Sequence, residues 1–149
     1  MDTVNFYSVS DDFGQFSNLA PFPLALDGER WPTAEHYYQS QKFDDPAYKL
    51  TIRRANSPAE AARLGHDRKK KMRRDWESVK VGIMRDTLMA KFTQHDELRV
   101  LLLSTGDAKI VEHTESDAFW GDGGDGSGKN TLGQLLMQVR ESLRTAPAE

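Results

Sequence analysis

Three prolines between residues 32 and 58 constrain this chain more than any other feature, because no helix can run through them: Pro32 stands before Thr33, Pro46 after Asp44-Asp45, and Pro58 after Ser57. Proline has no N–H and a fixed φ, so it is accepted in the first turn of a helix and excluded from the interior. The segments between the prolines therefore read as short helices in succession. Thr33 can accept the first free N–H groups of a helix reaching to Phe43, and Ala47 to Ala55 forms the next, with Arg53 and Arg54 near its end. Ser57-Pro58-Ala59-Glu60 has capping-box spacing, and Gly65 is a natural stop.

The remainder follows the same punctuation. Val4 to Ser8 alternates weakly and reads as a short strand, and Pro21 to Trp31 reads as a hairpin about Asp27-Gly28, the favoured two-residue turn. Asp75 can cap the longest helix, whose apolar face runs through Trp76, Val79, Ile83, Met84, Leu88 and Phe92. A shorter helix turns Leu98, Leu101 and Leu102 inward and stops at Thr105-Gly106, then Lys109 to His113 reads as a strand. The last helix starts near Thr131 with Leu132, Leu135, Leu136, Val139 and Leu143 at core spacing, and Thr145 to Glu149 should fray. The expectation is an α+β fold: a helix-rich single domain over residues 1–149 with a few short strands.

Composition narrows the chemistry. At 149 residues one core is affordable without a staple, and the absence of cysteine excludes disulfides, thiolate catalysis and Cys-bound zinc. A net charge of −3 gives no global case for nucleic acid or membrane as a partner. No apolar run approaches the roughly 18 residues of a membrane span, and Met1-Asp2-Thr3-Val4 lacks the order of a signal peptide, so a cytoplasmic protein is expected. The histidines His36, His66, His95 and His113 offer no i, i+4 pair, and neither metal nor cofactor is expected.

The polar chemistry concentrates in the helix after Thr33. At about 100° per residue Glu35, Gln39 and Lys42 fall within roughly 60° of arc, so one stripe carries an acid, an amide and an amine. Trp31, Tyr37, Tyr38 and Phe43 surround it, and a carboxylate and an amine walled by rings suit acid/base or nucleophilic chemistry on a small organic molecule. Ser17 and Asn18 lie in a loop whose Phe13, Phe16 and Leu19 need cover; they are candidate ligand contacts or turn-formers bonding their own backbone. Arg68 to Arg74 has six basic residues in seven, including Arg73: a solvated run, or a rim that attracts phosphate.

A second constellation runs from Glu115 to Asn130, with five glycines in the eight residues Gly121 to Gly128. Gly123 to Lys129 spells the G-x-x-x-x-G-K of a phosphate loop, yet Asn130 replaces the magnesium-binding hydroxyl and Asp122 and Asp125 would repel a triphosphate. The aspartates also miss the spacing of a calcium loop. What remains is a glycine loop flanked by a second carboxylate, Asp117, and by Trp120, either a flat face for a base or a core residue.

These motifs together, Phe16-Ser17-Asn18, Trp31 through Phe43, Arg73-Arg74-Asp75-Trp76, Lys91-Phe92, Leu103 through Asp107, Val111-Glu112, Asp117-Ala118-Phe119-Trp120-Gly121 and Asn130-Thr131-Leu132-Gly133, resemble the NADAR family of YbiA-like N-glycosidases. The resemblance covers essentially the whole chain in motif order. It implies hydrolysis of the ribosyl C–N bond of phosphoribosylamino-pyrimidine intermediates of riboflavin synthesis, releasing ribose 5-phosphate; other members remove ADP-ribose from guanine bases. Nucleic acid would then enter only as an ADP-ribosylated substrate. Carried over by motif, Glu35, Lys42 and Asp117 are the catalytic candidates, and Ser17, Asn18, Trp31, Gln39, Arg73, Trp120, Gly121 and Asn130 the substrate-binding ones. Arg74 departs from the family pattern, where proline is expected.

On chemistry alone, a carboxylate can stabilise charge at the anomeric carbon, or Lys42 can attack the opened sugar's C1 as an imine nucleophile. A non-catalytic NAD or ADP-ribose binding module would need the glycine loop and Trp120 but not Glu35 and Lys42. An RNA-binding protein would need aromatics within the basic run, and Arg68 to Arg74 has none.

Overall fold

The computed structural model describes residues 1–145; the tail 146–149, part of the stretch expected to fray, lies outside the described residues. The fold is α+β and helix-rich. Its elements in order are β1 (Thr3–Phe6), β2 (Leu24–Leu26), β3 (Glu29–Trp31), α1 (Ala34–Ser40), α2 (Pro46–Arg53), α3 (Pro58–Gly65), α4 (Trp76–Gln94), α5 (Asp96–Ser104), β4 (Lys109–Glu112) and α6 (Thr131–Thr145). The chain divides into two compact units, one of residues 1–17 with 92–149 and the other of 18–91.

In the first unit β1 pairs in parallel with β4, from Thr3 opposite Lys109 to Phe6 opposite Glu112. Such a pair cannot be closed by a hairpin, so its two strands come from distant parts of the sequence. Val4, Phe6, Ile110 and Val111 are buried, as are Leu132, Leu135, Leu136, Val139 and Leu143 along α6. Phe16 is fully buried, with the rings of Phe6 and Phe92 at 5.8 and 5.7 Å. Arg140 is buried on α6, and its Nη1 donates to the Thr105 hydroxyl at 2.9 Å and the Ala108 carbonyl at 2.8 Å, which ties α6 to the turn past the end of α5.

In the second unit the β2–β3 hairpin turns through Asp27 (φ 57°) and Gly28 (φ 78°), the two positive φ values of a type I′ turn. Asp27 also accepts the Tyr37 hydroxyl at 2.7 Å, which pins the turn to α1. The three helix starts read from the prolines are present, with Thr33, Asp45 and Ser57 accepting N–H groups of His36, Ala47 and Glu60. The first helix stops sooner than its pattern. Gln41, Lys42 and Phe43 leave α1 through tighter bonds, Lys42 N–H to Gln39 at 3.3 Å and Phe43 N–H to Ser40 at 3.3 Å. That final tight turn lets Phe43 drop into a cluster with Tyr48, Ile52 and Ala61.

Candidate active site

Glu35 lies in the first turn of α1, where its N–H donates to the Asn18 carbonyl at 3.0 Å. The residue is half-buried, and protein atoms crowd its carboxylate enough that burial raises its proton affinity above the ordinary carboxylate range. A hydrogen bond from Gln39 Nε2 at 3.4 Å and the charge of Lys42 pull the other way without cancelling that rise. Lys42 is 7% exposed, with its ammonium 3.4 Å from the Gly65 carbonyl and 6.0 Å from the centre of the Tyr38 ring. Burial lowers its pKa, the Glu35 carboxylate opposes that, and Lys80 adds to it. The same surroundings therefore make an acid less acidic and an amine less basic.

Two side-chain oxygens around this helix have no hydrogen-bond partner among the described residues, Asn18 Oδ1 and Gln39 Oε1. Asn18 is 8% exposed, and among the described residues its amide N–H₂ donates to the thioether of Met84 at 3.3 Å. A buried amide left this way is unusual, since such groups are normally satisfied. The basic run is tied to the site through its backbone: Arg73 N–H donates to the Lys42 carbonyl at 2.7 Å, while the Arg73 guanidinium pairs with Asp75 through Nε at 2.6 Å. Arg68 to Lys71 and Arg74 are exposed. Trp31 is buried in the hairpin, donating Nε1–H to Leu26 at 3.2 Å with Tyr37 packed edge-on at 5.2 Å.

Ser17, Asp117, Trp120, Gly121 and Asn130 belong to the other unit. Asp117 Oδ1 accepts the N–H groups of Phe119 and Trp120 at 2.9 and 2.8 Å, so this carboxylate shapes the entry to the glycine loop. Trp120 is half-buried, with its ring 4.9 Å from that of Phe119 in an edge-on contact. The Asn130 amide bridges β4, accepting from Glu112 N–H at 3.0 Å and donating to the Ile110 carbonyl at 2.9 Å. At Gly121 a Cβ would come within 2.6 Å of Thr114 and 2.8 Å of the Asp117 carbonyl, so only glycine fits. Ser17 is 5% exposed. Within its unit the loop is held by Asp122, which accepts from His113 Nδ1 at 2.7 Å and from the N–H groups of Thr114 and Gly124.

Several neighbours of this polar stripe escaped the sequence. Gly65 of α3 and Lys80 of α4 act on Lys42, and Met84 of α4 meets the Asn18 amide; the patterns of both helices signal only packing. A weak signal existed in α3: Ala61 and Gly65, both small and four apart, mark a face where another helix can approach closely. Lys91 is fully buried on α4, and burial lowers its amine to about 7. Among the described residues no group of three or more acidic or histidine side chains is placed to hold a metal, and no helix is long and apolar enough to cross a membrane.

Comparison with known proteins identifies the family. The NADAR domain family matches residues 5–144. The chain is 61% identical over 140 residues to N-glycosidase YbiA of Escherichia coli, covering 94% of this chain and 88% of that protein. It is 43% identical over 141 residues to a riboflavin biosynthesis protein of Vibrio vulnificus, covering 95% of this chain and 38% of the longer protein. The NMR structure of the E. coli protein YbiA superposes with a TM-score of 0.89 at 60% identity, covering 96% of this chain and 85% of that one.

Proposed function

The chain belongs to the NADAR domain family and is an enzyme of the N-glycosidase class, and from that premise we propose that it hydrolyses the ribosyl C–N bond of a phosphoribosylamino-pyrimidine intermediate of riboflavin biosynthesis, releasing ribose 5-phosphate. The observation that carries this reading is the pairing at one helix of a carboxyl held toward its neutral form and an amine held toward its neutral form. A neutral acid can protonate a leaving nitrogen, and a neutral amine can attack carbon. The Vibrio vulnificus relative supports the substrate class.

In the open-chain form of a ribosylamine, C1 is joined to the pyrimidine nitrogen as an imine. The Lys42 amine adds to C1 as the imine π pair moves to the pyrimidine nitrogen, which takes one proton from the added Lys42 nitrogen and a second from Glu35 as the old C–N bond breaks, so the pyrimidine leaves as its amine and a protonated Lys42 imine remains. Water then adds to the Lys42 imine with the Glu35 carboxylate accepting a proton, which frees the sugar aldehyde and regenerates the lysine. Asn18 Oδ1 offers an acceptor to a sugar hydroxyl or base N–H, and the run Arg68 to Arg74, anchored to Lys42 through the Arg73 backbone, supplies positive charge for the 5′-phosphate. Asp117 and Trp120 are candidates on their own unit, the first as a second carboxylate and the second as a stacking face for a base.

Borohydride added during turnover of the ribosylamino-pyrimidine tests the chemistry. The expected result is a sugar phosphate mass fixed on the peptide containing Lys42 and no adduct or activity in Lys42→Arg. Substantial activity in Lys42→Arg without an adduct would assign catalysis to Glu35 and Asp117. Release of ADP-ribose from modified guanine, with no cleavage of the pyrimidine substrate, would overturn the substrate assignment.

A further inference from the structure

Gly65 closes α3 and is buried, and its φ lies outside the left-handed region, so the backbone does not call for glycine. Its surroundings do. A Cβ built there would overlap Gln39 Oε1 outright and stand 2.7 Å from Gln39 Cδ and 2.9 Å from Gln39 Cβ, closer than real Cβ atoms come to their neighbours. Gly82, exposed in α4, shows the contrast, with nothing within 4 Å of the same position.

Gln39 is 3% exposed, yet its amide has one long bond, to Glu35 at 3.4 Å, and a carbonyl without a partner among the described residues. An amide so poorly anchored by hydrogen bonds is oriented by what it packs against, and that is the bare Cα of Gly65. The carbonyl of the same glycine accepts from Lys42 at 3.4 Å. One residue thus touches both the amide beside the acid and the amine.

We propose that Gly65 is a positioning residue for the reactive helix: the space left by its missing side chain holds the Gln39 amide against Glu35. The proposal rests on the reading of Glu35 as the proton donor. Its consequence is directional. The Gln39 bond favours ionised Glu35, so displacing the amide raises the proton affinity of Glu35 further.

The test is a double-mutant cycle of Gly65→Ala and Gln39→Ala with Gly82→Ala as control, read by kcat on the ribosylamino-pyrimidine, by melting, and by NMR titration of ¹³C-labelled Glu35. Gly65→Ala should lower kcat on the order of tenfold or more, since misplacement by about 1 Å has such effects. It should move the Glu35 titration to higher pH in the same direction as Gln39→Ala. In the Gln39→Ala background, where the colliding side chain is gone, Gly65→Ala should change neither readout, and Gly82→Ala should change neither in any background. If Gly65→Ala alone does not fold, restored folding in the double variant supports the wedge and continued failure overturns it. Additive effects, or an unmoved Glu35 titration in folded Gly65→Ala, also overturn it. Failure of the wild type to cleave the substrate would sink the functional reading instead, leaving the NMR titration to decide the role of Gly65.

Discussion

Replacing Glu35 by glutamine separates catalysis from packing because the two give different magnitudes. The side chain keeps its size, and its amide oxygen can still accept from Gln39 Nε2, so the 3.4 Å contact survives. Losing that contact altogether would remove one hydrogen bond, about 0.5–1.5 kcal/mol, or at most about tenfold in rate if all of it acted on the barrier. Removing the proton donor is a larger loss: acid/base catalysis contributes roughly 10²–10⁴-fold, equal to about 2.7–5.5 kcal/mol at 1.36 kcal/mol per decade. Glu35→Gln should therefore lower kcat at least about 10²-fold with melting nearly unchanged. A second signature follows from Lys42. The Glu35 carboxylate raises the proton affinity of that amine, so its removal lets burial lower it further. The rise of activity with pH that reports neutral Lys42 should then shift to lower pH, even as its height falls. The assay is kcat/KM across pH with a melting curve for each protein. Activity within a few-fold of wild type, or an unshifted Lys42 limb, would refute the acid role and its coupling to the lysine.

Trp120→Ala should weaken binding of pyrimidine-bearing ligands by about 1–3 kcal/mol while leaving ribose 5-phosphate binding unchanged, as titration calorimetry can measure; unfolding of the variant would show that Trp120 is a core residue instead. Charge reversal in Arg68 to Lys71 should raise KM for phosphorylated substrate more than it lowers kcat, and equal turnover of phosphorylated and bare substrates would remove this run from the site. The His113–Asp122 clamp should hold the glycine loop most tightly between about pH 4 and 6.5, given ordinary unfolded values near these limits. Asp122 is lowered to about 2 by His113 and by two backbone N–H groups, so its contribution is complete above its unfolded value and fades as pH falls toward about 2. His113 is raised by Asp122, so its contribution is complete below its unfolded value and fades as pH rises through the folded one. Amide protection factors at Thr114 and Gly124 that stay constant from acid to alkaline pH would contradict the clamp.

The local starts and stops were legible in the sequence because their causes are local. Thr33, Asp45 and Ser57 cap helices beside proline, and Asp27-Gly28 turns a hairpin, through contacts within three residues. The stripe of Glu35, Gln39 and Lys42 was legible for the same reason, since helical periodicity alone aligns it. Tertiary structure decided what surrounds the stripe. Periodicity carries α1 to Phe43, but packing of that ring against Tyr48 and Ile52 ends the helix at Ser40 and sends Lys42 toward Gly65. The parallel partner of β1 lies about a hundred residues away, and no short-range pattern encodes that pairing. The proton affinities of Glu35 and Lys42 likewise depend on burial by elements remote in sequence, because desolvation belongs to the whole surrounding volume and not to the residue that bears the charge.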